Sequence, residues 1–473
     1  MISVLLSSTF RNCQHADDNQ RMKLFQLLPE FLSFIFGLYI LLDDPGANTY
    51  SFFAIVSFLI LMAGCLRRKA ILQPFNFFCI FFFFYNFSSH FLFELSGLSV
   101  LGAFHSNANR ENIVKQALIA YCFLVACSPF LSNGKGTTRE VILSRLSYIR
   151  DGLVPKRLLI ISFVTFFLTF AVFLPILPIV IQNGVVDRVL SSSYINSNLW
   201  VSVGLLSYVG SFLSILAMTN NRNYALIALV IFGSYFVMDM AIGGRKILFY
   251  LVLTVAPWMW ASRAFRLKHL GFAGAAVLLP IIMRAVIDKV DLVERDLAGI
   301  AAGIFGEFLF TSGTGYIIDA NYQAICRNVD ISSYFYWLIY MIPRAVYESK
   351  PYSLAMDFAN YMDMGMGFAL TPVAEAYCVG HQTAWIFLLC STLVIFSLVS
   401  LASRRSVIVY LIAMALCMDM NRGEFSYTVV QIVTMFVVYK FFIRLASKRQ
   451  SKKPSHESGS YIERDLPEGR TSS

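Results

Sequence analysis

The chain keeps arginines and lysines where a membrane protein has least reason to hold them. Arg188, Arg245, Lys246, Arg284, Arg295, Arg344, Lys350 and Arg422 fall in or beside connections that are otherwise poor in cations. A guanidinium is a permanently charged planar fork that grips phosphate oxygens two at a time, so cations converging there suit a phosphorylated ligand. Snorkelling to the interface, or pairing with a loop carboxylate, accounts equally well for individual members of the set.

Three short stretches sharpen the ligand reading. GGRK at 243–246 sets Arg245 and Lys246 at a helix start after two glycines, where exposed N–H groups favour anions. IPRAVY at 342–347 carries Arg344 behind the aromatic run Tyr334, Phe335, Tyr336 and Trp337, a composition suited to a helix at the membrane surface. NRGEF at 421–425 holds Arg422 and Glu424 in a tight turn.

Carboxylates form the second group. Asp288, Asp291, Glu294 and Asp296 lie at one end of the segment 288–372, with Asp357, Asp363 and Glu375 towards the other. Most read as solvated or paired with arginines. Glu375 differs: it follows the turn GMGFALTP and enters an apolar run, where partial burial favours the neutral acid and tunes it as a general base. The triplet ERD at 294–296 has the spacing of a metal-dependent transferase, but it recurs at 463–465 in the polar tail, and no histidine pair has ligand spacing. No metal and no other cofactor is expected.

These residues need a scaffold, and the composition says which. With 57% hydrophobic and 14% charged residues and a mean hydropathy of +0.65, the chain is far more apolar than a soluble domain. The formal charge of +10 then reflects basic residues gathered in cytoplasmic connections rather than nucleic-acid binding. Nine scattered cysteines read mainly as small packing residues; Cys326 and Cys378 both fall on the expected outer side, where an oxidising compartment permits a bridge.

Apolar runs at 24–42, 50–66, 71–93, 113–131, 158–181, 199–219, 223–242, 246–262, 269–287, 384–402, 406–420 and 427–445 predict an all-α, polytopic integral membrane protein of about twelve spans. Basic residues cluster in alternate connections, at 67–69, 135–157, 263–268, 404–405 and 448–453, which puts both termini in the cytoplasm. Residues 1–23 then form a cytoplasmic N-terminal segment, 24–445 the membrane domain with one long outer loop over 288–372, and 446–473 a disordered cytoplasmic tail rich in Ser, Lys, Glu and Pro. No internal repeat of the kind that builds many transporters is visible.

GGRKIL (243–248), YWLIYMIPR (336–344), KP (350–351), GMGFALTPVAEAYCVG (365–380) and NRGEF (421–425), in this order, resemble the O-antigen polymerase family (Wzy), the oligosaccharide repeat unit polymerases. The likeness covers roughly 240–430 and departs from the commoner family form at Thr371, Pro372 and Ala374. It implies a GT-C-like glycosyltransferase of the bacterial inner membrane, with a large periplasmic loop between late helices. Both substrates would be undecaprenyl-diphosphate-linked oligosaccharides, with a polysaccharide chain-length regulator as a partner, and no nucleotide sugar is needed. On that reading Arg245, Lys246, Arg295, Arg344 and Arg422 bind the diphosphate, and Glu375 or Asp363 takes the proton of the acceptor hydroxyl. Bond cleavage spreads negative charge onto the leaving diphosphate, so prepositioned cations favour the transition state.

Two other readings compete. An O-antigen ligase shares the layout, and a polyprenyl-phosphate sugar transferase often carries an acid after its first span, where Asp43 and Asp44 sit. A lipid-linked oligosaccharide flippase should line a central cavity with charges; Asp239 and Asp419 are the main acids within the later spans.

Overall fold

A computed structural model describes residues 27–96, 111–132, 152–175, 225–241, 297–340, 353–362 and 370–447, with scattered residues of 177–217 and 342–351. Every regular element among them is helical. The first four are α1 (Leu27–Leu42), α2 (Ala47–Arg67), α3 (Pro74–Ser96) and α4 (Glu111–Ser132). Then come α5 (Pro155–Phe173), α6 (Ala225–Ala241), α7 (Leu297–Ala320), α8 (Tyr322–Ile325), α9 (Tyr336–Tyr340) and α10 (Leu354–Tyr361). The last four are α11 (Pro372–Gly380), α12 (Ala384–Arg405), α13 (Val407–Met420) and α14 (Phe425–Ala446).

Six helical stretches among the described residues are long and apolar enough to cross a membrane. They lie in α2, α3, α4, α5, the stretch Pro372–Ser403 that holds α11 and α12, and α14, while α1, α6 and α13 are shorter apolar helices. The expected spans at 246–262 and 269–287 lie outside the described residues, as does most of 199–219. Apolar side chains project from the bundle, among them Phe52, Phe163, Leu168, Val437 and Phe441. A membrane protein turns such residues to lipid, so its interior is distinguished by packing and not by polarity. Every residue of α13 but the half-buried Ile408 is buried, which makes it the central post against α3, α12 and α14.

The end of the bundle where α2 stops is closed by charge. Glu30 is 2% exposed and takes both guanidinium groups, Arg67 at 3.1 Å and Arg68 more closely, and Arg68 also donates to Ser128 at 2.8 Å. A buried carboxylate tolerates desolvation only when it is paired and hydrogen-bonded in this way.

Part of the expected outer loop over 288–372 is helical. Within it, α7 packs along α3: Phe308 meets Tyr85 edge-on with ring centroids 4.7 Å apart, and one turn later Ser89 N–H donates to Ser312 Oγ at 3.0 Å. Partners stepping four by four in the same direction make the two helices parallel and in register. Extending that register brings Leu297 beside Pro74, at the end where Arg67 and Arg68 close α2. At 24 residues, α7 is about 36 Å long, enough to cross a bilayer core. Residues 297–320 of the expected loop are therefore helical. Gly299, Gly303, Gly306, Gly313 and Gly315 explain why the helix looks like a loop: small residues lower hydropathy but let helices approach closely in a membrane.

Candidate functional site

Helix lengths around α11 determine where the acids go. α12 has 22 residues, about 33 Å, whereas α13 returns over only 14, about 21 Å, so α13 ends roughly 12 Å short of the N-terminal start of α12. α11 fills that recess. His381, with φ of 45°, breaks the chain between α11 and α12, and α11 folds back against α12. Its nine residues reach about 13 Å inward, which matches the shortfall. A Cβ on Gly380 would lie 2.6 Å from the Phe387 ring, so glycine permits the close approach at this joint. Pro372 opens α11 at a position where its missing N–H costs nothing.

At the bottom of the recess α11 meets the turn between α13 and α14. Asn421, fully buried, holds that turn by donating to Phe78 O at 3.0 Å and Cys417 O at 2.9 Å. Arg422 follows, half-buried, with its N–H on Asp419 O at 3.0 Å, and then Gly423 and Glu424.

Two buried carboxylates face each other across this contact. Glu375, 1% exposed, accepts from Phe425 N–H at 2.5 Å through Oε2, and the Ser333 hydroxyl approaches Oε1 at 3.4 Å. Glu424, 7% exposed, accepts from Ala355 N–H at 2.9 Å. Each acid thus caps the first turn of a helix other than its own, Glu375 at α14 and Glu424 at α10, where free N–H groups and the helix dipole favour negative charge. Capping does not fully offset desolvation. Burial pushes the Glu424 carboxyl up to about 7; the backbone N–H groups of Ala355 and Leu354 pull the other way, and the charge of Asp357 adds to the rise. Burial also raises Asp357 itself.

Aromatics wall the pair. Tyr334 lies 5.2 Å from Phe425 and 6.3 Å from Phe387, centroid to centroid. Its hydroxyl is raised by burial and by the nearby Glu375, and that of Tyr340 by burial and by Glu424, so both remain neutral hydrogen-bond donors. Where one buried acid keeps its proton near neutrality, the carboxylate beside it is left to accept a proton from a hydroxyl, and a guanidinium carried on the same turn can hold an anion.

Of the residues expected at the site, the structure brings Glu375 and Arg422 to one turn. Arg245, Lys246, Arg295, Arg344 and Asp363 lie outside the described residues. Glu424, which the sequence places in the NRGEF turn without a role, and Asp319 were not among those expected. Asp319, near the C-terminal end of α7, accepts from the Tyr377 hydroxyl at 2.5 Å and from Ile113 N–H at 3.3 Å, and the Tyr377 oxygen lies 3.2 Å from His381 Nε2. This chain of contacts ties the C-terminal end of α11 to α7 and α4. Cys326 and Cys378 are joined as a disulfide across 52 residues, a second tie on the same helix. Among the described residues no group of three His, Cys, Asp or Glu side chains is arranged to hold a metal ion.

Comparison with protein-family models, with curated proteins and with solved structures finds no match for this chain.

Proposed function

We propose that the chain is a glycosyltransferase that polymerises undecaprenyl-diphosphate-linked oligosaccharide repeat units into O-antigen or a related surface polysaccharide. It would work at the periplasmic face of the bacterial inner membrane, without a resident metal. The reading rests on the motif order that resembles the repeat unit polymerases, and one structural observation carries it furthest. Glu375 and Glu424 are buried together at the turn that carries Arg422.

In the reaction, the acceptor hydroxyl attacks the anomeric carbon of the lipid-linked donor as the bond to the diphosphate oxygen breaks. The leaving undecaprenyl diphosphate keeps the electron pair. Glu375 takes the hydroxyl proton, with Glu424 holding a proton of its own so that the recess does not carry two adjacent charges. Arg422, joined by the cations expected from Arg245, Lys246, Arg295 and Arg344, offsets the charge growing on the diphosphate. The disulfide supports an oxidising compartment for this face.

The acid after the first span, which would suit a polyprenyl-phosphate sugar transferase, is less apt as a base. Asp44 bonds Lys115 Nζ at 2.8 Å and the Tyr50 hydroxyl at 2.6 Å, and these bonds hold its carboxyl below the usual carboxylate range. The test is direct: purified protein in lipid vesicles, given undecaprenyl-diphosphate-linked repeat units, should yield a ladder of lengthened glycans and release undecaprenyl diphosphate. Transfer of glycan to lipid A core without lengthening would instead indicate a ligase.

A further inference from the structure

We propose that the Cys326–Cys378 disulfide and Ser333 are positioning residues for Glu375, so that the recess is correctly formed only in the oxidised protein. The inference rests on reading Glu375 as the proton acceptor. Cys378 lies one helical turn after Glu375 on α11, and both half-cystines are buried, at 2% and 5% exposure for Cys378 and Cys326. From Cys326 the chain runs through Asp330, whose side chain accepts from Ser332 N–H at 2.8 Å and starts the 3-10 turn Ile331–Phe335. That turn delivers Ser333 to the acid: its hydroxyl approaches Glu375 Oε1 at 3.4 Å, and its carbonyl accepts from the Ser426 hydroxyl at the start of α14.

A small ring results, closed by one covalent bond and one polar contact: Glu375 to Cys378 along α11, across the disulfide to Cys326, along the chain to Ser333, and back to Glu375. Tyr322, four residues before Cys326, adds a parallel link by donating to Cys378 O at 3.1 Å. The contact from Ser333 to Glu375 is long, so it depends on the covalent link to hold the turn in place. Opening the link is a two-electron exchange: a dithiol reductant is oxidised to its own disulfide as Cys326 and Cys378 become two thiols. Closing it needs the reverse exchange with an oxidised dithiol.

The experiment compares wild type, wild type reduced in place with a dithiol, Cys326→Ser/Cys378→Ser and Ser333→Ala, each in lipid vesicles. Two readouts are taken: turnover on lipid-linked repeat units, and modification of Glu375 by dicyclohexylcarbodiimide followed by peptide mass spectrometry. Reduction should lower kcat by about tenfold or more with little change in KM, as expected when a reacting group is displaced without loss of substrate binding. It should also change Glu375 modification several-fold. The double serine variant should behave like the reduced protein and ignore reductant, and Ser333→Ala should move both readouts the same way. A lower melting temperature with kcat and Glu375 modification unchanged would overturn the proposal. So would free Cys326 and Cys378 thiols in unreduced protein. If no sample extends glycans but Glu375 modification still follows the disulfide, the glycosyltransferase reading fails and the positioning stands.

Discussion

Glu375 Oε2 receives the backbone N–H of Phe425 at 2.5 Å, which fixes the first turn of α11 against the first turn of α14. The two residues are 50 positions apart in sequence, and the contact exists only because α11 folds back at His381 into the space that the short helix α13 leaves. One consequence is that Glu424, next to Phe425, is buried beside Glu375. A second is that Arg422, half-buried, lies on the same turn.

Arg422 separates charge from geometry. On the proposed reading Arg422→Ala should reduce polymerisation about a hundredfold or more, because it would remove a cation that offsets charge on the leaving diphosphate. Arg422→Lys should recover only part of this, since an ammonium lacks the planar fork. Kinetics on lipid-linked repeat units, with protein abundance in the membrane as the control, decide it; equal activity of all three proteins would remove Arg422 from the site.

Glu424 gives a pH dependence with a definite sign. Its carboxyl is raised by burial to about 7, above its ordinary value of 4.5, so the folded state favours the neutral acid. The stability this contributes is complete below about pH 4.5 and is lost as pH rises through about 7. Thermal melting in detergent should show a falling midpoint from about pH 5 to 8. Glu424→Gln, neutral at every pH, should flatten that slope; an unchanged slope would mean that another group is responsible.

Much of the bundle is legible in the sequence because hydropathy reports burial in lipid directly. The runs 113–131, 384–402 and 427–445 fall inside Glu111–Ser132, Ala384–Arg405 and Phe425–Ala446. α7 escapes because about half of its residues are Gly, Ala, Ser and Thr, which break up the apolar run; at Ser312 a small side chain meets Ser89 of α3. The spacing Gly299 to Gly303, two small residues one turn apart, is the signal that would reveal it. Glu375 stands out as an acid entering an apolar run. Its partner Glu424 does not, because their pairing depends on the difference in length between α12 and α13, a property of three helices and of no single motif. Asp319 is hidden for the related reason that it ends a helix which reads as a loop.

The fold-back joint is tested at Gly380. In Gly380→Ala the new methyl would press on the Phe387 ring at 2.6 and 2.8 Å, forcing α11 away from α12. Overpacking of this kind costs about 1 to 3 kcal/mol. The expected result is a lower melting temperature together with lower turnover, partly restored by Phe387→Leu. A neutral Gly380→Ala variant would mean that α11 does not pack against α12 in this way.

The most direct measurement compares wild type with Glu375→Gln in the vesicle assay. Glutamine keeps the shape and still accepts from Phe425 N–H, but it cannot take a proton. A general base typically contributes about a hundredfold to ten-thousandfold. The variant should therefore fold, melt within a few degrees of wild type and bind lipid-linked repeat units, while extending them at least about a hundredfold more slowly. Extension by Glu375→Gln at the wild-type rate would contradict the account.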